Sequence, residues 1–191
     1  YYAEPYTVSK IVYRETGEEK DMTSERKQVM KDSTAYLMTN VLHYAATNGF
    51  SGGTNGYAGT VAVKTGTSNY PDTVLQKYGL PGSAVNDLWS VGYTPEYSFA
   101  LWYGYDEISS EHYSTVGTPK DQLMRAIMKY IPVCKDEFKA PSSVVASQVE
   151  FGTWPAQLPS DYTPSDLIRT EYFIKGAQPT EVSSRFSKLG D

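Results

Sequence analysis

Gly59-Thr60-Val61-Ala62-Val63-Lys64-Thr65-Gly66-Thr67-Ser68 decides how this chain is read. Its first half is small and β-branched, which favours a strand. Its second half puts a lysine, hydroxyl residues and a glycine on that strand. Successive strand side chains point to opposite faces, so Thr65 and Thr67 share one face and Lys64 takes the other. An edge strand can hydrogen-bond an extended peptide through its backbone, and Gly66 carries no side chain to obstruct the approach. Lys64 would supply positive potential for a carboxylate or assist proton movement. The Thr65 and Thr67 hydroxyls would donate to that carboxylate, and the Thr67 N–H would help stabilise a developing oxyanion. Every one of these roles needs a nucleophile from elsewhere.

The same residues admit a plainer reading, in which Lys64 is a solvated lysine at a strand end and Thr65-Gly66-Thr67 a turn. A phosphate-binding loop does not fit, because the residue before the lysine would be glycine and is Val63.

Outward from the strand, Tyr6 to Arg14 alternates as a strand, Glu15 to Glu18 supplies a turn, and Glu18 to Lys27 reads as a charged connector. Asp32-Ser33 caps a predicted helix over Lys31 to Thr47, with Leu37, Val41, Ala45 and Met38, Leu42 recurring every four residues. Phe50 to Gly56 is loop, and Asn69 to Ala84 is turn-rich, with Ser68, Asn69 and Tyr70 placed to line a groove beside the strand. Two strands in hairpin order follow, Asp87 to Tyr93 and Tyr97 to Tyr105, with Trp89 and Trp102 read as core. Thr118-Pro119 opens a second helix whose stripe is Leu123, Ile127, Ile131 with Met124 and Met128, stopped at Pro132. Strands in a row closed by a helix give an α+β fold, an antiparallel sheet flanked by helices. Residues 1–140 form the main unit. Residues 141–191, with a strand over Ser142 to Phe151 and apolar text at Tyr172-Phe173-Ile174, read as an extension packing on it, too thin in apolar residues to fold alone.

The 191 residues suffice for one sizeable core, and a net charge of −5 with no basic cluster argues against a nucleic-acid partner. One cysteine, Cys134, rules out an internal disulfide framework; it reads as a packed or half-exposed thiol. No apolar run is long enough to span a membrane. His43 and His112 have no third ligand at sensible spacing, so no metal or cofactor is expected. Asp106, Glu107 and Glu111 read as a hydrated acidic loop. The start at Tyr1-Tyr2 reads as a piece of something longer, with targeting segments upstream.

K-T-G belongs with S-x-x-K and S-D-N to the known motif set of penicillin-binding proteins and serine β-lactamases. The chain resembles the C-terminal half of the transpeptidase domain of a class A (bifunctional) penicillin-binding protein. The likeness runs in order through Glu4-Pro5-Tyr6-Thr7-Val8-Ser9-Lys10, Ser33-Thr34-Ala35-Tyr36-Leu37-Met38-Thr39 and the K-T-G-T strand. It continues through Asp87-Leu88-Trp89-Ser90-Val91-Gly92-Tyr93-Thr94-Pro95-Glu96-Tyr97, Trp102-Tyr103-Gly104-Tyr105-Asp106 and Phe173-Ile174-Lys175-Gly176-Ala177-Gln178-Pro179-Thr180. Val63 stands where many relatives have glycine.

The resemblance implies a five-stranded antiparallel sheet with helices on both sides. It also implies D,D-transpeptidase activity on peptidoglycan stem peptides, acylation by β-lactams, and a place on the extracytoplasmic face of the bacterial cytoplasmic membrane. Lys64 and Thr67 would be catalytic, and Thr65, Gly66, Thr67 and Ser68 would bind substrate. No S-x-N triplet occurs in the chain. Its S-x-x-K match, Ser24-Glu25-Arg26-Lys27, falls in the charged connector rather than at the head of a buried helix. The serine is therefore expected from an N-terminal remainder carrying S-x-x-K and S-x-N, along with any membrane anchor. A D,D-carboxypeptidase, a β-lactamase and a non-catalytic cell-wall binding module are the alternatives.

Overall fold

The computed structural model describes residues 1–116 and 118–187. The Thr118 cap and the end of the predicted extension, residues 188–191, lie outside the side chains described. Lys10–Val12 (β1) and Glu19–Asp21 (β2) form an exposed hairpin whose turn ends at Gly17, in the left-handed region at φ 71°. The expected strand from Tyr6 thus shrinks to three residues, and the expected connector supplies its partner. Neither strand buries a face; the three-residue ladder is supported at the surface by the Lys10–Glu19 ion pair at 2.9 Å.

Asp32–Thr47 (α1) begins one residue after the predicted start. The cap position is Lys31, with no side-chain capping bond, and Asp32 is the first helical residue, its carboxylate accepting from the Ser33 N–H at 2.7 Å. A negative charge there suits the helix dipole. The apolar positions do not all turn inward as predicted: Ala46 is buried, but Met38, Val41 and Tyr44 are exposed. His43 instead links α1 to the main sheet, its Nδ1 lying 2.8 Å from the Val61 carbonyl.

Ala62–Asn69 (β3), Ala84–Tyr93 (β4) and Ser98–Gly104 (β5) form an antiparallel sheet in that order, and the two-residue Ser114–Thr115 (β6) pairs with the start of β4. Four strands stand here where the resemblance implied five, and β3 is an edge among the described residues. Between β3 and β4 lies Asp72–Tyr78 (α2), a helix where only turns were expected. Its Val74, Leu75 and Tyr78 pack on Tyr70, Leu80 and Ala84.

Thr118–Met128 (α3) covers one face of the sheet. Met124 and Met128 are buried with Val61, Val63 and Ala46, against Phe99 and Leu101. Leu123 and Ile127, predicted for the same stripe, are exposed. The buried line is Lys120, Met124, Met128, one residue round the helix. Gly52 and Gly53 thread the loop between α3 and the sheet, both at positive φ.

The tail forms its own hairpin, Val144–Glu150 (β7) with Ile168–Ile174 (β8), joined through a 3-10 turn at Ser165–Leu167. Glu150 is its anchor. The buried carboxylate accepts from Thr163 Oγ1 at 2.7 Å and Ser183 Oγ at 3.1 Å, with Arg185 at 3.9 Å. Hydroxyl donors on both oxygens offset the cost of burying the charge. The hairpin meets α1 through an edge-on Tyr36–Tyr172 pair and a 2.8 Å bond from Ser143 Oγ to Asp32.

Candidate active site

The register of β3 on β4 fixes what each motif residue faces. Lys64 lies opposite Val91, Gly66 opposite Trp89 and Ser68 opposite Asp87, so these six share one face of the sheet. Thr65 and Thr67 lie opposite Ser90 and Leu88, on the face that α3 covers. The Lys64 face is open. Trp89 is 42% exposed, Val91 47% and, opposite Trp89 on β5, Trp102 38%. The expectation that the two tryptophans are core is therefore corrected: strand pairing places them on the side of the sheet away from α3, where both stay substantially exposed.

Lys64 is exposed, and its Nζ donates to the Thr65 carbonyl of its own strand at 2.7 Å. A methyl group added at Gly66 would meet only Trp89 Cβ, at an ordinary 3.4 Å. Nothing among the described residues requires glycine there, and its absent side chain leaves room on the open face. Ser68, expected to bind substrate directly, has its hydroxyl committed to Asp87 Oδ2 at 2.5 Å. Tyr70 does not line the groove; it is buried against α2, and its hydroxyl has no partner among the described residues. Burial, with Asp87 adding, holds that phenol above its ordinary pKa.

Asp87 had no role in the sequence reading, yet it gathers the far end of the motif. Its Oδ2 also accepts from Asn86 Nδ2 at 2.8 Å, and its Oδ1 accepts from Trp102 Nε1 at 2.8 Å. The Ser68 bond above all, then that from Trp102, holds its carboxyl below the ordinary carboxylate value. A lowered folded-state pKa means the stabilisation is complete above the unfolded value and is lost as pH falls through the folded one. Trp102 emission is accordingly expected to stay flat at neutral pH and to shift only below about pH 3.9, the unperturbed aspartate value. Asp87→Asn should abolish that transition. A midpoint at or above the unperturbed value would contradict this account.

Behind the motif sits a cation that the sequence reading missed. Lys120 is 5% exposed, and its Nζ donates to Ser90 Oγ and Asp121 Oδ1, each at 2.6 Å. Ser90 Oγ in turn donates to the Gly52 carbonyl at 2.9 Å, and a side chain at Gly52 would strike Thr65 Cγ2. The chain Lys120, Ser90, Gly52 thus fixes the surface on which Thr65 rests. Its sequence signal was a lysine four residues before Met124, on the helix face that turns inward.

The remaining candidates lie elsewhere. Ser24 shares a surface dent with Tyr2, Glu4, Glu25 and Lys27, none of which belongs to the motif sheet. His112 stacks on Tyr105. Cys134 is buried, its thiol donating to Thr94 Oγ1 at 3.1 Å.

An α+β domain with a K-T-G strand at the edge of an antiparallel sheet and a helix behind it is the architecture of the penicillin-binding protein and serine β-lactamase class. Residues 1–129 match the penicillin binding protein transpeptidase domain, and residues 140–188 match the penicillin-binding protein 1A C-terminal domain. The chain belongs to the penicillin-binding protein transpeptidase family. It is 35% identical to penicillin-binding protein 1A/1B of Bacillus subtilis over 98% of its length and 21% of that protein's. Penicillin-binding protein 1F of the same organism is 30% identical over 85% of this chain and 22% of its own length. Penicillin-binding protein 1A of Clostridium novyi is 26% identical over 94% and 20%. The chain therefore spans about a fifth of the length of these curated relatives.

Proposed function

We propose that the chain is the carboxy-terminal part of a peptidoglycan D,D-transpeptidase and supplies one wall of its active site. The observation that carries this reading is the uncovered face around Lys64. Contiguous exposed apolar surface of the size of Trp89, Val91 and Trp102 marks a site that another surface covers. Met38, Val41 and Tyr44 leave a second such stripe on α1. A segment outside this chain, bearing the S-x-x-K and S-x-N residues, packs there and brings the reacting serine to Lys64.

In that assembly the serine oxygen attacks the penultimate D-Ala carbonyl of a stem peptide. The C–N bond breaks, the terminal D-Ala leaves as an amine after taking a proton, and an acyl-enzyme forms. The amine of a second stem peptide then attacks the ester, restoring the serine hydroxyl and completing the cross-link. Lys64 contributes positive potential to the substrate carboxylate and the proton path. From the other face of this edge strand Thr65 and the exposed Thr67 contribute hydroxyls across the β3 edge, Gly66 contributes room, and the Thr67 N–H contributes part of the oxyanion hole. Ser68, held by Asp87, shapes the end of the strand. A β-lactam enters as the same acyl donor, with a ring that keeps the leaving amine attached.

Residues 1–140 are the transpeptidase unit and 141–191 a C-terminal unit packed on it. No helix among the described residues is long and apolar enough to cross a membrane; the anchor that holds the protein at the outer face of the cytoplasmic membrane belongs to another segment. Fluorescent penicillin tests the division of labour. The isolated chain is expected to show no denaturation-resistant label, whereas a protein joining it to the S-x-x-K and S-x-N segments should be labelled at a serine outside residues 1–191. Covalent labelling of the isolated chain would overturn this and return attention to Ser24.

A further inference from the structure

The tail holds an aromatic ring that its packing does not explain. Trp154 is 97% exposed and stands beside a groove of about 510 Å³ that includes Phe173 and Pro179. That volume falls within the roughly 300–1,000 Å³ of small-ligand sites. The turn presenting the indole is firmly held. Thr153 Oγ1 donates to the Glu150 carbonyl at 2.9 Å and accepts from the Gln157 N–H at 3.0 Å, while the Glu150 N–H donates to the Gln157 carbonyl at 2.9 Å. The same Glu150 is the buried anchor of the tail. The backbone carrying the ring is thus held in place, while the indole itself stands in water at a cost in apolar exposure.

The polar part of the lining is neutral or acidic and capable of hydrogen bonding. Gln178 uses its Oε1 on the Gly176 N–H at 2.7 Å, leaving its amide N–H groups to donate. The Gln157 side chain has no partner among the described residues, and Glu181 adds a carboxylate at the rim. No lysine or arginine is among the described lining residues. An anionic ligand therefore has nothing to pair with. A proline-rich peptide docks between several aromatic rings; here Trp154 and Phe173 stand with Pro155 and Pro179 against the Gln157 and Gln178 amides and the Glu181 carboxylate. That arrangement complements a pyranose, a ring with an apolar C–H face and a polar rim of hydroxyls and acetamides.

We propose that this groove is a saccharide-binding site, taking a β-1,4-linked N-acetylhexosamine chain with one sugar face stacked on Trp154 and its polar rim on Gln157, Gln178 and Glu181. The groove's chemistry asks for a pyranose; the choice of an amino-sugar chain rests on the function proposed above. Such a site would hold a glycan strand while its stem peptides reach the Lys64 face.

Titrating the whole 191-residue chain with the β-1,4-linked tetramer of N-acetylglucosamine, and reading tryptophan emission, tests this. A saturable shift is expected. Trp154→Ala should lose it and weaken binding by about tenfold or more, the scale of a lost ring stack, and Trp154→Phe should fall between. Glu181→Ala should weaken binding without removing the emission signal. Because Trp154 is almost wholly exposed, its substitution removes little packing, and an unchanged unfolding midpoint verifies that. Equal affinity in the wild type and Trp154→Ala, or a response to a proline-rich peptide and none to the tetramer, would overturn the proposal. Penicillin labelling of the protein that carries the serine segment should be untouched by Trp154→Ala. Saccharide binding that persists where Lys64→Ala leaves acylation unchanged would reject the transpeptidase reading of the motif and leave this groove standing.

Discussion

Lys64→Ala is expected to slow acylation by a fluorescent penicillin at least about tenfold in a protein that also carries the S-x-x-K and S-x-N segments, since a positioned group stabilising developing charge contributes a few kcal/mol. The fold should not suffer. Lys64 is exposed, and among the described residues its ammonium bonds only to the carbonyl of the next residue, so removing it opens no cavity and strands no buried partner there. That separation makes the measurement decisive: the second-order acylation rate falls while the urea midpoint stays put. Lys64→Arg should recover part of the rate, because the charge returns but the forked guanidinium does not reproduce a compact ammonium. An unchanged rate in Lys64→Ala would reject the role assigned to this residue.

The opposite pattern is expected at Gly53→Ala. Gly53 sits at φ +89°, and a β-carbon there would lie 2.5 Å from the Asp121 carbonyl oxygen and 2.8 Å from Met124 Cβ. Backbone cannot swing aside as the end of a lysine can, so α3 would have to lift from the sheet. Left-handed strain and overpacking together give an expected loss of roughly 3 kcal/mol, read as a lower urea midpoint. The disturbance should also reach the motif, since Lys120, Ser90 and Gly52 form the support beneath Thr65. Gly66→Ala is the control, for its added methyl meets nothing closer than 3.4 Å. If Gly53→Ala unfolded at the wild-type urea concentration, the close passage of the loop under α3 would be wrong.

The motif strand, its hairpin partners and both long helices were legible because β-branched runs and four-residue repeats speak directly of local structure. What burial decides was not. Leu123 and Ile127 fit the periodic stripe of α3 as well as Met124 and Met128 do, and only the sheet beneath selects one row. Trp89 and Val91 alternate with Leu88 and Ser90 along β4, so either face reads as core, the pattern of a strand covered on both sides; among the described residues α3 covers one. The helix Asp72–Tyr78 hid behind its own punctuation. Pro71 before it and Gly79 after it, left-handed at φ 65°, look like turn residues singly and form a start and stop signal together. At the candidate site, the row of motif residues was visible, but Asp87 and Lys120 act through partners 15 to 38 positions away along the chain, directly or through Ser90. No local pattern reveals such bonds.

The free edge of β3 has a consequence for how this polypeptide behaves in concentrated solution. In the function proposed above this row of backbone donors and acceptors receives a stem peptide, and the same row is open to the β3 of a neighbouring molecule. Self-association and peptide capture then compete for one set of hydrogen bonds. Dimers should dissolve as peptide is added, and dilution should sharpen peptide affinity. Recognition and oligomer suppression become a single equilibrium, seen from its two sides.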